Sequence, residues 1–131
     1  MKKIFILGMM LLVSAFALTA IAAQPPVPAD GIKMERTKKP VVFNHSTHTT
    51  AGCAACHHPV DGVENYGACA TAGCHDILGT KDKSINSYYQ VTHKAKGTKY
   101  DTCVSCHVAA AGDDKDKKKQ LAGCAKSACH G

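Results

Sequence analysis

In 131 residues the chain carries 16 Lys and Arg against 10 Asp and Glu, with eight Cys, eight His, no Trp, three Phe and four Tyr. That length allows one domain, and the 45% hydrophobic content is carried by an apolar leader, the cysteines and many alanines that each bury little area, which speaks against an ordinary peptide core. The net charge of +6 is modest, and so few aromatics offer no platform for stacking bases, which argues against a nucleic-acid binder.

Lys2 and Lys3 precede an apolar run from Ile4 to about Leu18, and Ala20-Ile21-Ala22, or Ala23 one step later, offers a small-residue cleavage site. Residues 1–22 therefore read as a signal peptide and residues 23–131 as a single domain. The run is short and is followed by Gln24, Pro25 and Pro26, which argues against a retained membrane anchor. No cysteine stands at the cleavage site, so lipidation is not expected, and Lys2-Lys3 is not a twin-arginine signal, so export of an unfolded chain is.

Residues 24–29, with Pro25, Pro26 and Pro28, read as an extended arm. Residues 31–43 are expected to hold the little sheet there is, with Lys39-Pro40-Val41-Val42-Phe43 as an edge or first strand of a short ribbon. Asn44, Ser46 and Thr47 can cap a helical turn that sets His45 and His48 three apart on one face. Residues 84–93, with Ile85, Tyr88, Tyr89 and Val91, predict a short helix ending at His93, and residues 102–111 a second one carrying Cys103, Cys106 and His107 and stopped by Gly112. Residues 113–119, acidic at the start and basic at the finish, predict a last helix running to Gly123. Residues 79–84 and 97–100 are expected to be loops.

All eight cysteines fall into four pairs, each followed at once by histidine: Cys53, Cys56, His57; Cys69, Cys74, His75; Cys103, Cys106, His107; Cys124, Cys129, His130. Histidine makes up 8 of 131 residues, so chance would place it after all four second cysteines roughly once in a hundred thousand sequences. The first and third pairs have the C-x-x-C-H spacing of a c-type haem attachment site, in which both thiols bond the porphyrin and the histidine becomes an axial iron ligand. The second and fourth are a wider C-x-x-x-x-C-H version. A disulfide framework leaves the four histidines unexplained, zinc sites leave most of them idle, and a thioredoxin-like dithiol lacks its βαβ setting.

The remaining histidines, His45, His48, His58 and His93, match in number the four sixth positions, and past the leader the only methionine is Met34, so at most one haem could be His/Met. Four covalently bound, bis-histidine-ligated haem c groups are therefore expected, a ligation that lowers the potential relative to His/Met and leaves no open iron position. Electron transfer follows more naturally from this than catalysis. His57 and His58 are adjacent, so their side chains diverge and His58 belongs to a different haem from His57. The haems also have to replace the missing core, and without them the chain is expected to be largely unfolded.

At these residues the chain resembles the tetrahaem class III cytochromes c, the cytochrome c3 family of the sulfate-reducing bacterial periplasm. The resemblance rests on the alternation of two and four residues between cysteines and on three segments: residues 41–48, Cys56-His57-His58-Pro59, and Thr71-Ala72-Gly73-Cys74-His75-Asp76. It covers essentially the whole mature chain. It implies a mainly irregular, haem-wrapped fold with short α-helices and a small N-terminal β-ribbon. It also implies the ligand pairs His45 with His57, His58 with His75, His48 with His107 and His93 with His130. In function it implies a periplasmic carrier that accepts electrons from hydrogenase; the reading that follows is a shuttle to membrane-associated multihaem cytochromes in sulfate respiration, with proton uptake linked to reduction through the haem propionates.

Of the 16 basic residues two lie in the leader, and haem propionates would offset the excess that remains, so distribution says more than net charge. Lys81, Lys83, Lys94, Lys96, Lys99, Lys115, Lys117, Lys118, Lys119 and Lys126 cluster around the third and fourth motifs, where the resemblance places a docking surface for acidic redox partners. A monomeric carrier, not an enzyme, is the expectation. The alternative is a terminal reductase of metal ions or sulfur at exposed haem edges, which would need an open ligand position or a dedicated substrate site.

Overall fold

Pro40 leads Val41, Val42 and Phe43 into a strand whose alternate side chains are half-buried, exposed and half-buried, the period of two that an edge ribbon requires. In the computed structural model, which describes residues 24–36, 39–96, 98–125 and 127–130, this strand, β2 (Val41–Phe43), pairs antiparallel with β1 (Ile32–Met34). Ile32 faces Phe43 and Met34 faces Val41. The expected leader, Gly97 of the expected second loop and Lys126 lie outside the described residues.

A 3-10 helix (His45–Ala51) follows, then α1 (Cys53–Cys56), α2 (Tyr88–His93), α3 (Cys103–Ala111) and α4 (Lys115–Ala122). Among the described residues these helices and the two-stranded ribbon are the regular structure, and the stretch between α1 and α2 is turns and isolated bridges. The expected fold class, short helices with a small N-terminal ribbon, is what the chain adopts. No described helix is long and apolar enough to cross a membrane.

The caps decide the boundaries. Asn44 precedes the 3-10 helix but does not cap it with its side chain; its Oδ1 instead accepts from Gly31 N at 2.8 Å and closes the ribbon. The capping carboxylate comes from Asp30, which accepts from Ser46 N at 3.0 Å and from Ser46 Oγ. The helix expected over 84–93 is shorter because residues 86–88 are drawn into a parallel bridge, with Ile77 N donating to Asn86 O and Tyr88 N to Ile77 O. Ser87, fully buried, then caps α2. α3 starts at a capping box in which Thr102 Oγ1 accepts from Ser105 N and Ser105 Oγ accepts from Thr102 N, and it ends at Gly112, whose φ of 57° suits glycine. Asp114 caps α4 by accepting from Asp116 N and Lys117 N.

α3 packs against both α2 and α4, yet the buried apolar side chains among the described residues are only Tyr88 and Ala111. Val42, Leu78 and Ile85 are more than half exposed. Among the described residues, side chains alone do not build a core.

Candidate haem-binding site

The narrow motifs are helical. In α3, Cys103, Cys106 and His107 stand at i, i+3 and i+4 and so share one face. α1 does the same in a single turn, with Cys53 and Cys56 at its ends and His57 as its C-terminal cap, donating N–H to Cys53 O. The wide motifs cannot do this, since five residues of separation turn the second cysteine away from the first on a helix. Cys69 to His75 is folded into turns instead: Thr71 N donates to Ala68 O, Cys74 N to Thr71 O, and His75 N to Cys69 O, with Gly73 at φ 82°. The fourth motif is tied to the end of α4 by Ala128 N donating to Gln120 O at 2.9 Å. Helix and turn thus bring each pair of thiols beside its histidine by different routes.

The eight histidines are all half-buried and their rings meet in four pairs. Ring centres are 6.4 Å apart for His45 and His57, 5.8 Å for His58 and His75, 6.1 Å for His48 and His107, and 5.9 Å for His93 and His130. These are the partners the family resemblance implied. With metal–imidazole bonds of about 2 Å and the ring centre roughly 1.2 Å behind its nitrogen, two imidazoles on opposite sides of one ion have centres about 6 Å apart. Rings in simple van der Waals contact would stack closer than this.

The outer nitrogens set the tautomer. Nδ1 lies within hydrogen-bond distance of a backbone carbonyl in His48 (Asn44 O, 2.9 Å), His58 (Pro59 O, 3.2 Å), His75 (Ile85 O, 2.7 Å), His93 (Tyr89 O, 3.3 Å), His107 (Leu121 O, 3.0 Å) and His130 (Lys39 O, 3.0 Å). A carbonyl only accepts, so Nδ1 carries the proton and Nε2 keeps the lone pair that binds a metal. Burial, together with repulsion from His130, holds the His93 ring below its usual pKa, and the hydrogen bond to Tyr89 opposes this only in part, a shift towards the neutral form that a ligand needs.

All eight cysteines are free thiols, and six of them are exposed. Cys103 presents surface overall, yet crowding by its neighbours pushes its thiol up to about 11, first by desolvation and then by the charges of Cys69, Cys56 and Cys129. Desolvation likewise raises Cys56, Cys69 and Cys106. Among the described residues no three His, Cys, Asp or Glu side chains converge as a tetrahedral zinc site requires. The paired imidazoles and paired thiols fit haem, which the thiols would attach and the imidazoles would ligate.

The profile of the class III cytochrome c family matches residues 20–130. The chain belongs to the class III cytochromes c. A curated relative, cytochrome c3 of Nitratidesulfovibrio vulgaris strain Hildenborough, is 58% identical over 130 residues, 99% of each chain. The nine-heme cytochrome c of Desulfovibrio desulfuricans is 34% identical over 95 residues, 66% of this chain and 26% of that one. Among solved structures, oxidised cytochrome c3 of Desulfovibrio desulfuricans superposes with a TM-score of 0.76 at 40% identity, covering 82% of this chain and 100% of that one. As a class III cytochrome c the protein is a multihaem electron carrier with covalently bound c-type haems.

In this cytochrome aromatic side chains accompany the histidines, and the sequence pattern showed only some of them. Tyr89 lies over His93 with ring centres 4.4 Å apart and planes 14° apart, a contact legible in the i to i+4 spacing on α2. Phe43 meets both His45 and His48, at 4.9 and 4.6 Å, and its place at the end of β2 beside them is also local. Tyr66 against His57 (5.7 Å) and Tyr100 against His58 (4.3 Å) are contacts between separate loops that no local spacing announces. The capping role of Asp30 is of the same kind.

Proposed function

We propose that the chain binds four haem c groups through Cys53 and Cys56, Cys69 and Cys74, Cys103 and Cys106, and Cys124 and Cys129. Each iron would lie between one of the pairs His45 and His57, His58 and His75, His48 and His107, or His93 and His130. The observation that carries this is the set of four facing ring pairs near 6 Å. Haem supplies a reversible one-electron centre at low potential. The chain's own part is to present the imidazoles, hold the Nδ1 protons of six of them on backbone carbonyls, and occupy both axial sides so that no small molecule enters. That favours a carrier over a terminal reductase.

The carrier is periplasmic, exported by residues 1–22, and works between periplasmic hydrogenase and membrane-associated multihaem cytochromes. Exposed Lys115, Lys117, Lys118 and Lys119 on α4, with Lys94, Lys96 and Lys99 at the far end of α2, form the positive surface that steers acidic partners. Reduction adds negative charge, which raises the affinity of nearby propionates for protons, so potentials fall as pH rises. The test is stopped-flow reduction by hydrogenase under hydrogen at several ionic strengths. Rapid reduction that slows with added salt, and slows further in the Lys117→Glu, Lys118→Glu double variant, supports the shuttle; a rate independent of both contradicts it.

A further inference from the structure

We propose that Tyr100 is a positioning residue that turns the plane of His58 across that of His75, setting the second iron apart from the other three. The proposal rests on the bis-histidine reading above. Three ring pairs are close to parallel, with interplanar angles of 9° for His45 and His57, 27° for His48 and His107, and 4° for His93 and His130. His58 and His75 are crossed at 58°.

An imidazole on a metal rotates about the metal–nitrogen bond unless something outside holds its plane. His75 is held by the shortest of the Nδ1 to carbonyl contacts, 2.7 Å to Ile85 O. His58 has only the carbonyl of its own neighbour, Pro59 O, at 3.2 Å. What lies flat on His58 is Tyr100, with ring centres 4.3 Å apart and planes 11° apart, the geometry of an offset stack. Lys99 Nζ lies 5.1 Å from the Tyr100 ring centre and adds a cation to the same phenol. Tyr100 is itself pinned: Thr102, two residues on and 4% exposed, caps α3 and donates Oγ1 to Lys94 O at 2.8 Å, so the segment is fastened to both α2 and α3. The phenol is a fixed template, and His58 takes its plane from it.

The electronic consequence follows from orbital symmetry. An imidazole donates π density perpendicular to its ring, into one of the two iron d orbitals of π symmetry. Parallel rings both raise the same orbital and split the pair; crossed rings raise both and leave them nearly equal. Low-spin ferric iron has one vacancy in this set, so splitting stabilises ferric iron, while the filled ferrous set gains nothing. Crossing the rings therefore shifts the second iron to more positive potential than its protein surroundings alone would give, and makes its ferric paramagnetism the most anisotropic of the four. The chain thus marks one site by geometry, with the same two ligands throughout.

The experiment is low-temperature EPR of the fully oxidised holoprotein, with a potentiometric titration, on the wild type, Tyr100→Ala, Tyr100→Leu and Tyr100→Phe. Haem content by mass and the visible spectrum are recorded for each. The wild type is expected to show one low-spin signal whose lowest-field feature lies below the other three. Tyr100→Ala moves that signal and no other, and shifts one potential negative; Tyr100→Phe, which keeps the stack, leaves both where they were. Tyr100→Leu, which fills the space without a flat face, reads the same effect if the alanine variant assembles poorly. Four low-spin haems with no displaced signal, or a displaced signal that is unmoved in both the alanine and leucine variants, overturns the positioning role alone. A wild type with fewer than four low-spin haems overturns the bis-histidine reading beneath it.

Discussion

Asp30 and Thr102 lie outside every cysteine motif, yet each fixes a segment that carries histidines. Asp30 fastens the first turn of the 3-10 helix through Ser46, between His45 and His48. The Ser46 hydroxyl, and then its N–H, hold the Asp30 carboxyl below its ordinary 3.8. A folded pKa below the unfolded one means the clamp is fully present above the unfolded value and is lost as pH falls through the folded value. Acid titration of the holoprotein should therefore show a loosening of this segment below 3.8 that Asp30→Asn, which keeps the acceptor but not the charge, removes. An unchanged acid limb in the variant would contradict the assignment. Thr102 serves α3 by accepting from Ser105 N and serves α2 by donating to Lys94 O. Thr102→Ala should cost about 1–2 kcal/mol in denaturant unfolding of the holoprotein and Thr102→Ser much less, since the hydroxyl is what caps. At this scale the histidine and cysteine identities were legible because spacing alone singles them out. Asp30 and Tyr100 were not, because each acts on a segment brought near only by the fold.

Helices and turns divide the attachment motifs between them, and their glycines show how. Gly73 allows the turns of the second motif through a φ of 82°, and an added Cβ there would meet nothing within 4 Å, so Gly73→Ala costs only backbone strain, on the order of 1–3 kcal/mol. Gly123 has an ordinary φ of −71°, yet a Cβ there would lie 2.3 Å from Lys119 O at the end of α4. Gly123→Ala must therefore displace the chain just ahead of the fourth motif and should lower the yield of fully loaded protein, with a three-haem species seen by mass. A loaded fraction equal to wild type would show that α4 yields easily. The ends of α3 and α4 were readable because Thr102, Ser105, Gly112 and Asp114 are local signals within one turn of the helices they bound. The first turn of the helix expected over 84–93 was not formed, because Ile77 claims the backbone of residues 86–88. Periodicity along the chain does not register a partner from elsewhere in it.

As a whole the molecule has almost no protein core: Tyr88 and Ala111 are its buried apolar side chains among the described residues. Nonpolar area that a chain of this size needs to bury must then be buried against its cofactors. Protein carrying Cys→Ala changes in all four motifs should give a far-UV circular dichroism spectrum without the helical signal of the holoprotein; retained helicity would mean that α3 and α4 fold without haem. Phe43 touches both His45 and His48, so one aromatic side chain joins the first and third ring pairs, and the dipeptide His57-His58 joins the first and second. Four closed histidine pairs are tested most directly by the mass of the purified holoprotein, with its visible spectrum before and after dithionite and under carbon monoxide. Four haems added to the chain, a low-spin spectrum without a high-spin band, and no response to carbon monoxide are expected. Fewer haems, or a fraction that binds carbon monoxide, would mean that an iron is open, and would contradict four closed histidine pairs.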